Sequence, residues 1–458
     1  MVEFKNEKDG VQYDEELLYE LLTKEDIQLF REYFLALHPY DQAQYYEKVG
    51  PDIRETMYHF LSPHEMAFIF RELEIEDEEY QDFLQEMDTS YGAAMLSEMY
   101  TDDAVDVLNE LGDKERESYL EMMDSETAGE INELLAYAEY TAGAIMTTEY
   151  VSILESSTVR SAMAVMRKEA PTAETIYYIF VVNDEHQLTG VLSLRDLIIA
   201  DEDTLIKDIM SDRVVFVGLK DDQEEVAQIM KDYNFLALPV VNENQELQGI
   251  ITVDDIIDVI EEEASDDYSK LAGISDVEDI DDGPFKSAKN RLPWLIILLF
   301  LGMLTANLMS RFEETLEQVA LLALFIPLIS GTSGNSGTQA LAVAVRGIAT
   351  GEVSEKSKMK LLMRELLTGL IMGIACAIIV VGIIYFWKNS LMIGLLVGGA
   401  IGCSILVATL AGSFIPLLIH KLGIDPAVAS GPFITTLNDV TSLMIYLGLA
   451  TMFLSQIM

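Results

Sequence analysis

Two carboxylates in the last third of the chain carry the first chemical signal. Asp425 and Asp439 stand in the run GIDPAVASGPFITTLNDV, within a region otherwise built from Leu, Ile, Val, Ala and Gly. On one continuous helix, Asp439, 14 residues further on, would lie about 21 Å deeper than Asp425. A carboxylate at membrane depth is costly unless it is hydrated, paired or bound to a cation. No Lys or Arg falls at a similar depth, so Asp439 reads as part of a cation pathway. Asp425 then marks its cytosolic entry, and Pro432 falls where it can kink the helix. A second polar run, PLISGTSGNSGTQA (Pro327–Ala340), places Gly331, Gly334, Gly337, Asn335 and several hydroxyls in another apolar stretch. Two readings stay open for it: tight packing of small residues, or a broken helix lining the pathway.

A third constellation is acidic. In VDDIIDVIEEEASDD, Asp254, Asp258, Glu262 and Asp266 recur at spacing four and so share one helical face. Asp255, Glu261, Glu263 and Asp267 crowd its flanks, with no lysine read as close enough to offset them. Like charges at this spacing each cost a helix ~0.2–0.5 kcal/mol. The face is either merely solvated or a place where carboxylates from separate surfaces share divalent ions. Mg²⁺, which keeps several waters and uses one or two carboxylates, suits the second reading.

The elements that must position these groups fall into two unlike halves. Residues 291–458 hold 9 basic against 8 acidic residues and contain five apolar stretches, about 292–310, 318–345, 362–387, 391–419 and 431–457. Each matches the roughly 20 residues a membrane span needs. Cations cluster before the first (Lys286, Lys289, Arg291), between the second and third (Arg346, Lys356, Lys358, Lys360, Arg364) and before the fifth (Lys421). The break after the first is acidic (Glu313, Glu314, Glu317). That alternation predicts a cell-membrane protein with residues 1–290 in the cytosol and the C-terminus outside.

Residues 1–290 hold 70 acidic against 20 basic residues, a balance of −50 within a chain total of −49. Such a half repels phosphate and argues against a nucleic-acid partner. The 2 cysteines, Cys376 and Cys403, lie in apolar runs and exclude a disulfide scaffold. The first 30 residues lack the apolar core of a secretory signal. No nucleophile–base set, P-loop or His/Cys metal cluster is present in the sequence, so an enzyme is not expected.

Residues 1–140 show helical periodicity in short acidic segments, opened by capping residues as in SPHEM and TDDAV. Stacked helical hairpins follow. Residues 141–265 alternate strand and helix and repeat: IYYIFVVNDEHQLTGVLSLRDLI and FLALPVVNENQELQGIITVDDII, with VVND and VVNE 59 residues apart. This resembles a tandem pair of cystathionine-β-synthase (CBS) modules, which often bind adenine nucleotides. The likeness implies Tyr178 and Arg195 as ATP contacts.

With these parts in order, the chain resembles MgtE-family magnesium transporters along essentially its whole length. The likeness rests on the acidic N-terminal domain, the CBS pair, GTSGNSGTQA and DPAVASGPFITTLND. It implies a multidomain α plus α/β protein: an acidic helical-repeat domain (1–140), a CBS pair (141–265), a connecting plug helix (266–290) and a five-span pore domain (291–458). It implies a homodimer with the pore on its two-fold axis, Asp439 recognising the ion and Asp425 at the mouth closed by the plug helix. Sensor acids would fall on Asp222, Glu224, Asp255, Asp258, Glu263, Asp266 and Asp267, with Asp102, Asp103 and Asp106 from the N-terminal domain. The chain departs from the family at Asn234 (KDYNF), where some members carry an acid, and at Thr338, where several carry Asn.

The expectation is therefore a Mg²⁺ channel for uptake, closed by Mg²⁺ bound to its cytosolic acids. Two others stand beside it: a less selective Co²⁺/Ni²⁺ carrier or exporter, and a membrane-anchored nucleotide sensor whose spans only dimerise it.

Overall fold

The computed structural model describes residues 14–73, 77–278, 283–353 and 357–453. Lys356, residues 279–282 of the expected linker and the end of the expected last span, 454–457, lie outside them. The chain forms two compact units, Met1–Val259 and Ile260–Met458.

The first unit begins with ten helices, α1 to α10, between Glu15 and Leu134 among the described residues. They are short because capping residues and prolines punctuate the chain. Asp14, Asp26 and Asp88 each accept a backbone N–H at a helix start, and Ser62 with Glu65 forms a reciprocal capping box. Pro39, Pro51 and Pro63 occupy first-turn positions, where a missing N–H costs nothing. Beyond the α1–α2 pair it is mainly alternate helices that pack, α3 on α5, α5 on α7, α7 on α9 and α8 on α10, and not the successive partners of stacked hairpins; Phe30, Phe34, Tyr46, Met57 and Phe70 are buried among them. Arg54 crosses this core, bonding Glu86 through two nitrogens at 2.6 and 2.7 Å, and lies 4.4 Å from the centre of the Phe83 ring.

The repeat follows as two copies of one plan. Strand β1 (Ser152–Leu154), helix α11 (Val159–Glu169), strands β2 (Tyr178–Val182) and β3 (Leu188–Ser193) and helix α12 (Leu194–Ile199) form the first. Strand β4 (Val217–Gly218), helix α13 (Gln223–Tyr233), strands β5 (Ala237–Val241) and β6 (Leu247–Thr252) and helix α14 (Val253–Ala272) form the second. Both sheets pair the first strand parallel and the last antiparallel to the middle one. Both carry a register shift at the same place, Val181/Val182 and Val240/Val241. The copies are crossed at their lead-ins. Thr147 before the first copy exchanges backbone bonds of 2.8 and 3.0 Å with Ile250 of the second. Ser211 before the second exchanges bonds of 2.9 and 3.0 Å with Val191 of the first. Asn234, one of the departures, ends α13 in the left-handed conformation (φ 54°), which asparagine tolerates better than most residues. Its role here is conformational.

In the second unit, α14 ends in a Schellman turn: Gly273 (φ 79°) donates to Lys270 O and Ile274 to Ser269 O, both at 2.9 Å. The helix expected over 266–290 is therefore divided. Residues 266–272 complete α14, and Pro284 opens a new helix, α15 (Pro284–Ser310), that runs on into the first apolar stretch. A short α16 (Glu313–Gln318) and a 3₁₀ turn (Ala320–Phe325) lead to α17 (Ile326–Ala349). Then come α18 (Lys358–Lys388), α19 (Leu391–Lys421) and α20 (Gly431–Met452). Four of the five long helices, α15, α18, α19 and α20, are long and apolar enough to cross a membrane. Helix α17 is absent from that set: it has the length, but its glycine and hydroxyl run dilutes the apolar residues. Helices α15 and α18 carry Phe300, Ile371, Ile378 and Phe386, all exposed, a surface suited to lipid and not to water.

Of the two open readings of Pro327–Ala340 tight packing holds and the broken helix does not, and the possible kink at Pro432 is absent. Helix α17 is continuous through Pro327–Ala340, because Pro327 sits in its first turn and the glycines are spent on close packing. Pro432 likewise falls in the first turn of α20 and kinks nothing.

Candidate metal centre and ion pathway

Helix α8 (Thr101–Asn109) starts with Asp102 and Asp103, where the helix dipole favours negative charge. Asp255 sits three residues after Thr252, which precedes α14; its Oδ2 accepts from Thr252 Oγ1 at 2.5 Å and Thr252 N at 3.3 Å. Glu174 arrives from the loop between α11 and β2, its backbone held by a 2.9 Å bond to Glu149 O. One carboxylate oxygen from each of Asp102, Glu174 and Asp255 lies within 4.8 Å of the other two. Asp102 is only 6% exposed. Oδ2 of Asp103 and Oε2 of Glu174 are buried with no partner among the described residues.

Burying so many carboxyls together is costly, and their titration records it. Burial, reinforced by Asp103 and Glu174, holds Asp102 well above the usual carboxylate range. Burial pushes Asp103 up to about 8 against the opposing Arg71 guanidinium, and Glu174 to about 7. Asp255 is raised too, again by burial, with Thr252 pulling the other way. Orphaned oxygens, acid-only ligands and mutual repulsion are what a hard divalent ion relieves. A Mg²⁺ ion with ligands at ~2.0–2.1 Å would draw the three oxygens in slightly or take one through water.

The remaining expected ligands are not gathered here. Asp106 lies exposed one turn along α8, close enough to help raise Asp103. Asp222 caps α13 by accepting from Glu224 N at 2.9 Å, and both are exposed. Asp258 and Glu263 stand on later turns of α14. Tyr178 opens β2 directly opposite Ser193, with Arg195 exposed two residues beyond.

Within the second unit a separate acidic group forms. Lys270 Nζ lies 2.5 Å from Asp266 Oδ2 and 2.6 Å from Asp425 Oδ2. The reading that no lysine offsets the α14 acids is thus corrected: Lys270 is one turn beyond Asp266. Asp425 also caps the 3₁₀ turn Pro426–Val428 through Ala427 N at 2.8 Å. That turn breaks the helix assumed between Asp425 and Asp439. Asp439 is eight residues into α20, about 12 Å along its axis.

Asp439 Oδ1 accepts from Ser330 Oγ on α17. Glycines make that approach possible. A Cβ on Gly334 would stand 2.9 Å from Thr435, one on Gly337 would overlap the Asn438 amide, and one on Gly412 of α19 would overlap Gly337 O. Asn438 is buried with neither amide atom partnered among the described residues. Ser336 of α17 and Thr409 of α19 share a buried 2.8 Å hydroxyl bond. Thr338, the other departure, turns its hydroxyl to Asn335 O at 3.0 Å within its own helix.

Comparison with known proteins decides the family. Residues 37–140 match the MgtE intracellular N domain, 142–203 and 206–262 the CBS domain, and 326–449 the MgtE divalent cation transporter domain. The chain is 52% identical to the magnesium transporter MgtE of Enterococcus faecalis over 96% of both chains. The chain belongs to the MgtE family of magnesium transporters. The MgtE of Thermus thermophilus is 37% identical, covering 96% of this chain and 98% of its own. A crystal structure of the soluble part of a magnesium transporter matches 55% of this chain and 98% of its own (54% identity, TM-score 0.54). The cytosolic domain of a Mg²⁺ channel MgtE in complex with ATP matches 54% of this chain and 100% of its own (37% identity, TM-score 0.51). MgtE proteins are membrane transporters with a soluble domain, not enzymes.

Against that MgtE frame, Glu174, Lys270 and Ser330 are the residues that sequence reading missed. Glu174 is a lone acid in the loop APTAETIYY, without periodicity to flag it. Lys270 had a signal, its i,i+4 spacing from Asp266. Ser330 was seen only as one hydroxyl in a small-residue run.

Proposed function

We propose that this chain imports Mg²⁺ across the cell membrane and is closed from inside by Mg²⁺ bound to its acidic domain. The observation that carries the first half is Asp439: a carboxylate on an apolar helix with a serine hydroxyl as its bonded partner. In a homodimer, two such side chains facing one lumen would attract a hydrated divalent ion without stripping its waters. That suits Mg²⁺, which dehydrates reluctantly, and lets the ion leave again. The names of the most similar relatives support magnesium as cargo.

The Asp102–Glu174–Asp255 cluster supports the second half. At low internal Mg²⁺ the cluster must either keep protons on its carboxyls or bear their repulsion, which for two unit charges 4 Å apart is ~4 kcal/mol at an effective dielectric of ~20. Mg²⁺ would favour the compact state by binding it better than the open one. The cations at Lys286–Arg291, Arg346–Arg364 and Lys421 favour a cytosolic N-terminal region and, with α17 counted as a span, an external C-terminus. ATP is a second regulatory ligand in this reading, contacted by Tyr178 and Arg195; it rests on the ATP complex of the related cytosolic domain.

Proteoliposomes loaded with a Mg²⁺ indicator test the proposal. The wild type admits external Mg²⁺ until millimolar internal Mg²⁺ stops it, and Asp439→Ala, inserted equally well, admits none. Undiminished entry through Asp439→Ala overturns the pathway assignment, and entry indifferent to internal Mg²⁺ overturns the gating.

A further inference from the structure

Asp266 and Asp267 are expected sensor acids and Asp425 the expected mouth of the pathway, yet the charge found between Asp266 and Asp425 belongs to the protein. Lys270 Nζ reaches Asp266 at 2.5 Å and Asp425 at 2.6 Å, joining the last turn of α14 to the turn that precedes α20. The contact is built, not incidental. The Schellman turn at Gly273 fixes where α14 stops, and Gly273 lies against Pro432 of α20. Leu271 packs on the cluster of Leu341, Val345, Ala427, Ala429 and Ile434. Its carbonyl oxygen lies so near Gly431 that a Cβ there would stand 3.2 Å away. Ser275 N then donates to Asn290 O at 3.1 Å, carrying the seated segment onto α15.

We infer that Lys270 is a tethered cation that seats the end of α14 on the entry to α20 in the absence of Mg²⁺, occupying carboxylate oxygens that a regulatory ion would otherwise bridge. This rests on the proposed gating and names its regulation at that one contact. Two carboxylates on one ammonium leave a net charge of −1, with Asp267 near enough to feel both Asp425 and Lys270, so a divalent ion entering here must share or displace the lysine. An ammonium offers three donors and no exchange with solution. The Asp425 contact is then the part of the closed state that persists when internal Mg²⁺ falls, whereas the buried Asp102–Glu174–Asp255 cluster, whose described residues supply no such lysine, is the part that responds.

The test uses the full chain in nanodiscs and in proteoliposomes. Hydrogen exchange of residues 268–275 is measured in EDTA for the wild type, Lys270→Gln, Lys270→Arg and the charge swap Lys270→Asp with Asp425→Lys. Mg²⁺ entry is measured in parallel from zero to millimolar internal Mg²⁺. Lys270→Gln should exchange about fivefold faster in EDTA and admit correspondingly more Mg²⁺ at zero internal Mg²⁺, with added Mg²⁺ restoring protection. Lys270→Arg and the swap should stay near the wild type in exchange. Unchanged exchange in Lys270→Gln overturns the inference, as does Lys270→Arg behaving like Lys270→Gln. Wild-type entry indifferent to internal Mg²⁺ overturns the gating reading instead, leaving the exchange result to judge the lysine by itself.

Discussion

Ser330 on α17 donates its hydroxyl to Oδ1 of Asp439 on α20, which commits one carboxylate oxygen and leaves the other for an ion. A hydrogen bond to a charged group contributes ~1.5–3 kcal/mol, or about tenfold in binding at the low end. Ser330→Ala should raise the half-saturating Mg²⁺ for entry about tenfold while the maximal rate changes less. Ser330→Thr, which keeps the donor, should stay near the wild type. Transport titrations on matched proteoliposomes read both quantities, and equal behaviour of the two variants would remove Ser330 from the pathway.

Glycine is required at some positions of α17 and not at others. Gly337→Ala would drive its Cβ into the Asn438 amide, whereas Gly331→Ala faces open space. Overpacking of this kind costs ~1–3 kcal/mol. Gly337→Ala should lower the melting temperature of the detergent-solubilised protein and reduce Mg²⁺ entry; Gly331→Ala should do neither.

Glu174 supplies one of three converging ligands, and its removal can be followed without transport. Protease protection of the wild type should rise with Mg²⁺. In Glu174→Gln the midpoint of that rise should move to about tenfold higher Mg²⁺. An unshifted midpoint would place the responsive ion elsewhere.

The same acids make a pH signature. Asp103 and Glu174 have folded-state values of about 8 and about 7, above the ordinary carboxyl range. Between pH ~4.5 and those values the folded state holds more protons than the unfolded one, so without metal, stability falls as pH rises through that window. The slope is up to ~1.4 kcal/mol per pH unit for each proton retained. Mg²⁺ replaces the protons, so it should stabilise more at pH 8 than at pH 5.5. Hydrogen exchange of α8 at both pH values, with EDTA and with Mg²⁺, checks the sign.

The repeat is plain from the amino-acid order because VVND and VVNE sit in equivalent strands, and most N-terminal helices because capping residues such as Ser62 act locally, although α8 takes Tyr100 and not Thr101 at its N-cap. What stayed hidden depends on partners distant in the chain. The glycine run of α17 looks helix-breaking until Thr435, Asn438 and Gly412 are seen filling the space it opens. Asp425 looked collinear with Asp439 because nothing in DPAV alone decides between a helix and a 3₁₀ turn capped by the aspartate itself. The crowding of acids on α14 is legible in the sequence, but which acid meets which partner is not: Asp255 turns to Asp102 and Glu174, Asp266 to a lysine.

The crossed lead-ins of the two CBS copies carry a consequence for how the protein is made. Each copy is finished by backbone supplied from in front of the other, so a ribosome that has delivered only the first has delivered an object with an open seam. Val191 meets its partner as soon as Ser211 emerges, but Thr147 must wait about a hundred residues for Ile250. Neither copy is complete without the other, so a truncation between them should yield not half a sensor but an aggregation-prone fragment.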